Sequence, residues 1–265
     1  MDKKMIKSAE EIALIKEGGL LLGEILGTLA KMVKPGLRAF DLEEKAEVMM
    51  EKIGGAPAFK GYCSHQGAKP FPSILCISLN EGIVHGPAKK DMIFKDGDIV
   101  TLDIGMKYPS EGRGYYTDTA VTVPVGRISE EASKLLEGTA LSLEKAIEII
   151  RPGLTILELG SAIEQVLKDY KLGVIKELVG HGVGYGVHEP PQIPNYAFPK
   201  NEFPNIALQA GMVIAVEPMA TLGGWRIALG QDGITFITAD RSLSAHFEHT
   251  IIVTERGCEV ATARE

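Results

Sequence analysis

The chain has 265 residues, of which 45% are hydrophobic and 24% charged, and its formal net charge is −7. This composition excludes a disordered or fibrous protein, and the negative charge argues against a protein that follows nucleic-acid phosphates. Three cysteines without CxxC spacing, and no run of 18 apolar residues, predict a cytoplasmic protein with free thiols and no membrane helix. No nucleic-acid-binding motif is found.

Helices and short strands alternate along the chain. Periodic apolar residues predict a first helix over 8–33, with Ser8 and Glu11 as a capping box. A second helix is predicted over 41–53, with Asp41 as its N-cap. The same periodicity predicts a second pair of helices over 129–150 and 155–170. Strand-like runs lie at 74–79, 98–104, 117–123, 212–217 and 247–253.

Motifs of the first half recur in the same order in the second half. Residues 33–37 (VKPGL) recur at 150–154 (IRPGL), and residues 83–87 (IVHGP) resemble residues 186–190 (GVHEP). The strand-like runs that carry Asp103, Asp118, Glu217 and Glu248 follow in register. We infer a single catalytic domain over 1–265 that is internally duplicated, approximately as 8–125 and 129–255, with an α+β composition.

The duplication predicts that acidic residues converge. If the halves face each other about a pseudo-twofold axis, four carboxylates meet near that axis: Asp103, Asp118, Glu217 and Glu248. One such carboxylate alone would more often face solvent, but four at corresponding positions favour a cation site, since like charges cannot share a dry cleft uncompensated. His181, between glycines, adds a softer ligand. This set suits two divalent ions of the Mn, Fe, Co or Zn type, which lower the pKa of a bridging water.

Two other histidines occupy equivalent points of the halves. His85 and His188 are each ambiguous alone, but as a pair beside a metal site they fit substrate positioning, oxyanion stabilisation and proton transfer. His65 and His246 are interpreted as structural or secondary residues. His249 is placed with them, because strand alternation turns it away from the face of Glu248.

The chain resembles a known family over nearly its whole length. The matching segments, in the family's order, are FKGY at 59–62, CISLNE at 76–81, DIVTLD at 98–103, GHGVG at 180–184, PQIPNY at 191–196, and residues 211–218 and 242–250. They resemble type I methionine aminopeptidases, which share the pita-bread fold with aminopeptidase P, prolidase and creatinase. The resemblance implies two pseudo-twofold-related halves, each with a helix pair on a curved antiparallel sheet.

The resemblance also implies roles for individual residues. The implied metal ligands are Asp103, Asp118, His181, Glu217 and Glu248. Among them Asp118 and Glu248 would bridge the ions, and Glu217 would take the proton from the metal-bound water. The implied substrate contacts are His85 and His188 at the scissile peptide, and Phe59, Tyr62 and Cys76 at the methionine side chain.

The activity implied is removal of the N-terminal methionine from nascent proteins and peptides with a small second residue. A hydroxide that bridges two metal ions would attack the first peptide carbonyl. A cytoplasmic monomer is expected, and its substrates include nascent chains at the ribosome.

Two alternatives remain open from the sequence: an X-Pro aminopeptidase or prolidase, and a catalytically inactive pita-bread binding protein. Relatives in the first class usually carry an extra N-terminal domain, for which the length leaves no room. Only 35 residues separate His181 from Glu217, which argues against the type II insertion. None of the five implied ligands is missing, which argues against an inactive protein.

The sequence departs from the family pattern at several places. Fourteen residues separate Asp103 from Asp118, where the family usually has ten, so a longer hairpin is expected with 111–114 at its tip. A second insertion is expected near 63–70, beside the methionine pocket. Val187 and Ile234 stand where aromatic residues are common. Trp225 is interpreted either as a replacement for them or as ordinary core.

Overall fold

Four helices lie in two consecutive pairs, as the periodicity predicts. The computed structural model describes residues 5–63, 69–199 and 201–264, so His65 and most of the second insertion lie outside the described residues. The helices are α1 (Ala9–Met32), α2 (Ala39–Lys52), α3 (Glu130–Ile149) and α4 (Ile156–Asp169). In the part of the chain that the structure describes, no helix is both long and apolar enough to cross a bilayer.

The starts of α1 and α2 test two predicted caps. At α1 the capping box is confirmed, since Ser8 Oγ accepts from the Glu11 amide and the Ser8 amide donates to the Glu11 carboxylate. At α2 the prediction of Asp41 as N-cap is wrong, because the helix begins at Ala39. The Ala39 amide is already bonded to the Met92 carbonyl, and Asp41 lies in the first turn, paired with Arg38. An acidic residue is favourable there because the helix dipole is positive at that end.

The described residues form fifteen strands, all paired antiparallel. They are β1 (Ala56–Pro57), β2 (Leu75–Leu79), β3 (Gly82–Val84), β4 (Ile99–Tyr108), β5 (Tyr115–Pro124), β6 (Gly173–Val174), β7 (Gly180–Gly182), β8 (Glu189–Ile193), β9 (Val213–Val216), β10 (Met219–Thr221), β11 (Ile227–Leu229), β12 (Phe236–Thr238), β13 (Ser244–His246), β14 (Glu248–Val253) and β15 (Cys258–Val260). The main sheet has the order β1-β4-β5-β14-β9-β7-β8, with β2 beside β4 and β15 beside β14. Two three-stranded sheets, β13-β10-β6 and β11-β12-β3, complete the described strands.

Strands β4 and β5 form the longest hairpin among the described residues. They pair without interruption from Ile99↔Pro124 to Tyr108↔Tyr115. Both strands therefore extend beyond the predicted runs 98–104 and 117–123. Residues 111–114 lie between the two strands, at the tip of the hairpin, as the sequence predicts.

Each helix pair has its own apolar core. Leu22 and Leu26 of α1 and Leu42 of α2 pack with the buried side of β2 and β4. In the other half, Leu135 of α3 and Leu159 of α4 pack with residues of β9 and β14. All five side chains are fully buried. The helix stripes that the sequence predicts are the surfaces that cover the curled sheet.

The turns after α1 and α3 have the same local geometry. Gly36 (φ +84°) donates its amide to the Phe94 carbonyl at 2.8 Å, and Gly153 (φ +90°) donates to the Leu208 carbonyl at 2.9 Å. Positive φ explains glycine in both copies. The correspondence supports internal duplication, which stays a prediction.

The two halves of the main sheet meet where β5 pairs with β14, and we call this junction the seam. Only two residue pairs form its ladder, Glu248↔Ala120 and His249↔Thr119. Side chains extend it: the Thr250 hydroxyl accepts from the Asp118 amide at 2.9 Å and donates to the Asp118 carbonyl at 2.8 Å. The Thr119 hydroxyl donates to the Glu248 carbonyl at 2.8 Å. Short pairing is thus reinforced by hydroxyl groups.

Helix α1 approaches the segment 261–263 very closely through glycines. A Cβ on Gly19 would lie 2.6 Å from the Ala261 carbonyl oxygen, and one on Gly23 would lie 2.2 Å from that of Ala263. Glycine costs a helix about 1 kcal/mol relative to alanine. The close contact gives the reason for these two residues, because no larger side chain fits against this segment.

Candidate metal centre and its cavity

A cavity of about 560 Å³ opens on the main sheet, and all five predicted metal ligands line it. We call these residues the polar floor: Asp103 on β4, Asp118 on β5, Glu248 on β14, Glu217 immediately after β9, and His181 on β7. These five strands are consecutive neighbours in the sheet. The polar floor is therefore a row of side chains that crosses the seam.

Strand register explains why the two aspartates share one face. Asp103 pairs with Ala120, and Asp118 pairs with Gly105. The aspartates are thus offset by two residues on neighbouring strands, and side chains at that spacing point to the same side. Gly105 has no side chain to occupy the position opposite Asp118.

Three members of the polar floor approach each other closely enough to share one ion. One ligand atom from each of Asp118, His181 and Glu248 lies within 4.8 Å of the other two. His181 Nε2 is also 3.5 Å from Glu217 Oε1. His181 Nδ1 lies 3.0 Å from the Gly182 carbonyl, which accepts its proton and leaves the Nε2 lone pair free. The ring is therefore in the tautomer that a metal ligand needs.

Burial opposes charge on every carboxylate of the polar floor. It raises the pKa of Asp103 to about 7. It also raises the pKa values of Asp118, Glu217 and Glu248 well above the usual range, and mutual repulsion adds to the effect. Asp103 Oδ1 and Asp118 Oδ1 have no hydrogen-bond partner among the described residues. Buried, mutually repelling acceptors beside a free imidazole nitrogen fit divalent cations, which would supply the missing positive charge.

His246 lines the same cavity, although the sequence analysis treated it as structural or secondary. Its Nε2 atom lies 3.5 Å from Glu217 Oε2 and 3.9 Å from Glu248 Oε2. Burial lowers its pKa to about 3, so the ring is neutral at physiological pH. The available signal was its position only two residues before the predicted ligand Glu248, although the two residues lie in different strands, β13 and β14. His249 lies outside the cavity lining and contacts Thr262, as alternation predicts.

His85 and His188 both line the cavity but are held differently. His85 has a left-handed backbone (φ +61°) at the end of β3, and its ring lies 5.5 Å from that of Phe236. His188 Nδ1 is 2.7 Å from the Tyr62 hydroxyl, and its ring lies 4.5 Å from that of His181. Burial lowers the pKa of both, to about 4 for His85. Both rings are neutral near pH 7.

A buried ion pair fixes the chain next to His188. Lys7 Nζ lies 2.6 Å from Glu189 Oε2, with only 1% of the lysine side chain exposed. The other oxygen of Glu189 accepts from the Gly186 amide at 2.6 Å. Gly184 makes room for the lysine, since a Cβ there would lie 2.6 Å from Lys7 Cε. The residue that follows His188 is thereby anchored to the segment before α1.

One side of the cavity is apolar. Phe59, Tyr62, Phe71 and Cys76 line it and are called the apolar wall. Val187 packs against this cluster but is not in the cavity lining, whereas Ile234 is. Trp225 is 40% exposed and also outside the lining, with its ring 5.0 Å from the Arg226 guanidinium. Neither interpretation of Trp225, pocket replacement or core, is therefore correct.

Comparisons with known proteins agree with this geometry. Residues 13–255 match the model of metallopeptidase family M24. The chain belongs to this family. It is accordingly a metal-dependent peptidase. It is 39% identical over 257 residues to methionine aminopeptidase 1 of Bacillus subtilis, a match that covers 97% of this chain and 98% of the relative.

Solved structures identify the fold. The crystal structure of the methionine aminopeptidase from Thermotoga maritima matches with a TM-score of 0.89 and 40% identity, covering 98% of this chain and 99% of that one. The prolidase of Pyrococcus furiosus matches with a TM-score of 0.75 and 25% identity, over 98% of this chain but only 66% of that one. This M24 chain therefore has the pita-bread fold, as predicted, and it spans about two thirds of the prolidase's length.

Proposed function

We propose that the chain removes the N-terminal methionine from peptides and nascent proteins whose second residue is small. The observation that carries the proposal is the adjacency, within one cavity, of the polar floor and the apolar wall. The full-length similarity to methionine aminopeptidases supports it. The preference for a small second residue rests on the family resemblance alone.

Two divalent ions of the Mn, Fe, Co or Zn type are proposed to bind the polar floor, with Asp118 and Glu248 as bridges. When bound, such ions polarise a peptide carbonyl and make a water molecule acidic enough to serve as nucleophile near pH 7. Two buried oxygens without partners, Asp103 Oδ1 and Asp118 Oδ1, support this assignment.

Glu217 is proposed to accept the proton of the attacking water. Its carboxylate lies between His181 and His246, with each imidazole Nε2 at 3.5 Å. Because burial lowers the pKa of His246 to about 3, this ring is neutral and lies beside the carboxylate without neutralising it. The proton would then be available for the amine that leaves.

His85 and His188 are proposed to contact the scissile peptide as neutral hydrogen-bond partners. If the Tyr62 hydroxyl donates to His188 Nδ1, the proton of that ring lies on Nε2 and can be donated to the carbonyl oxygen as it gains charge. Tyr62 then has two roles, one at His188 and one beside the methionine side chain.

The apolar wall is proposed to bind that side chain. Phe59 and Cys76 are buried, and the rings of Phe59 and Phe71 meet edge to face with centroids 6.5 Å apart. An unbranched thioether fills irregular apolar space and makes favourable contacts with aromatic edges. A polar or charged first residue would lose its hydration there without gaining a partner.

The test is methionine release from Met-Gly-Xaa peptides, measured with added Mn²⁺, Fe²⁺ or Co²⁺ and after chelation. Metal-dependent release of methionine from Met-Gly-Xaa is expected. Little aspartate should be released from Asp-Gly-Xaa peptides. Peptides with proline at the second position separate this activity from an X-Pro peptidase. Preferred cleavage of Xaa-Pro bonds, or no metal-dependent release at all, would contradict the proposal.

Three further statements stay predictions. A cytoplasmic location follows from the free thiols, and a monomeric state and contact with the ribosome follow from the resemblance. Gel filtration with light scattering checks the monomeric state, and co-sedimentation with ribosomes checks the contact with the ribosome.

A further inference from the structure

Arg264 lies behind the polar floor, at the seam. Its Nη1 atom donates to the Thr119 hydroxyl at 2.7 Å, to the Ala120 carbonyl at 3.2 Å and to the Glu248 carbonyl at 3.4 Å. Its Nη2 atom lies 3.3 Å from His249 Nε2. One guanidinium group therefore joins β5 next to Asp118 to β14 at Glu248.

Few residues of β5 and β14 are paired at the seam, beside Arg264. Only two residue pairs join β5 to β14, and both involve residues that Arg264 or its partners contact. The planar guanidinium has several donors in a fixed arrangement, so it can bind carbonyl oxygens of two strands at once. A flexible ammonium group has no such geometry.

The segment that precedes Arg264 is held in place by contacts with α1 and β14. Segment 261–263 lies against α1 at Gly19 and Gly23, where any Cβ would collide with its carbonyl oxygens. Thr262, buried in the same segment, bonds to His249 and to the Thr250 amide. Helix α1 thus holds the segment from one side while Arg264 reaches the seam.

We propose that Arg264 is a positioning residue for the metal centre, which sets the spacing between the Asp118 and Glu248 carboxylates. This inference rests on the proposed function, in which these two residues bridge the ions. Arg264 is not among the residues that line the cavity, and it acts through the main chain of the two strands and the Thr119 hydroxyl. Residues that support metal ligands in this way typically contribute about 10- to 100-fold to metal affinity.

The experiment is Mn²⁺ titration by isothermal calorimetry of the metal-free full chain. Arg264→Met should weaken binding of Mn²⁺ about 10-fold or more at a temperature where the variant is folded. Arg264→Lys should recover part of the loss, since it keeps the charge and at most some of the contacts. Arg241→Met is the matched control, because Arg241 forms an exposed ion pair with Glu81, and it should bind Mn²⁺ like the unchanged chain.

A second variant, on α1, changes the contacts of Arg264 indirectly by displacing the segment that precedes it. Gly23→Ala should push segment 261–263 away and weaken Mn²⁺ binding as Arg264→Met does. It carries the test if Arg264→Met does not fold. Unchanged Mn²⁺ affinity in Arg264→Met, or in both Arg264→Lys and Gly23→Ala, would overturn the inference, since a purely structural role lowers only the melting temperature.

The result also separates this inference from the proposed function. No Mn²⁺ uptake by the unchanged chain would overturn the ligand assignment and this inference together. Mn²⁺ uptake that depends on Arg264, without release of methionine from peptides, would uphold the inference and refute the proposed substrate.

Discussion

The polar floor and the apolar wall line one cavity but are built by different kinds of structure. Four members of the polar floor lie within paired strands and the fifth directly follows one, so hydrogen-bonded ladders set their spacing. Of the apolar wall only Cys76 lies in a strand, while Phe59, Tyr62 and Phe71 lie on connecting segments. Metal chemistry requires fixed distances, which strands provide, whereas an apolar pocket requires only shape and volume.

The largest effect is expected from the polar floor. Asp118→Asn should reduce methionine release by more than about 100-fold, beyond the usual cost of losing a supporting residue. An amide cannot bridge two cations as a carboxylate does. Steady-state kinetics and metal content by atomic absorption check this, with Asp41→Asn on α2 as the control. Activity close to that of the unchanged chain would contradict the role of Asp118.

Removing metal should make stability strongly dependent on pH. The pKa of Asp103 is raised by burial from 3.8 to about 7, so in this range the folded metal-free chain binds more protons than the unfolded chain. The stability that protonated Asp103 contributes is therefore fully present below about pH 4 and is lost as pH rises through 7, by about 4 kcal/mol for this residue.

Urea unfolding of the unchanged chain and of Asp103→Asn at pH 5 and pH 8, with chelator and with Mn²⁺, checks this dependence, because the difference between the two chains cancels the titration of the buried histidines. Added Mn²⁺ should stabilise the chain more at pH 8 than at pH 5. With chelator, the free energy of unfolding of the unchanged chain should fall relative to that of Asp103→Asn between pH 5 and pH 8. The absence of such a fall would show that Asp103 is not buried among the other carboxylates of the polar floor.

The apolar wall should respond to mutation in KM. Phe71→Ala removes an aromatic side of the pocket and should raise KM for Met-Gly-Xaa about 10-fold, with kcat changed little, since the wall binds ground state and transition state alike. Phe40→Ala on α2 is a matched control outside the cavity. An equal loss in kcat would instead place Phe71 in the orientation of the scissile bond.

The smallest effect is expected from the buried ion pair between Lys7 and Glu189, next to His188. Lys7→Met breaks the buried ion pair with Glu189 and should make the position of His188 less fixed. We expect kcat to fall about 5-fold, because this change is smaller than a 1 Å misplacement of a catalytic group, which costs about 100-fold in rate. Lys16→Met removes an exposed ion pair with Glu259 and should have no effect. Reduced Mn²⁺ affinity in Lys7→Met would mean that the lysine supports the floor rather than His188.

The polar floor, which lies on strands, could be predicted from the sequence better than residues on connecting segments. The helix pairs and the convergence of the four carboxylates were predictable, because apolar periodicity and the recurring motifs constrain them, and His181 was singled out by the glycines on either side of it. The position of Trp225 was not, since side chains on connecting segments have no period. Arg264 was not predicted for another reason. Its partners Thr119 and Ala120 lie more than 100 positions away in sequence, and its bonds to Ala120 and Glu248 go to main-chain carbonyls, which no local sequence pattern encodes.

The seam also has a consequence for how the chain folds. The hydroxyl of Thr250 bonds to the main chain of Asp118, 132 residues away. Closing so long a loop costs entropy before any contact repays it, and such pairings form slowly. The halves can build their separate cores from contacts nearer in sequence. We therefore expect the metal centre to arise at the last step of folding, so that ion uptake during refolding reports on docking of the halves.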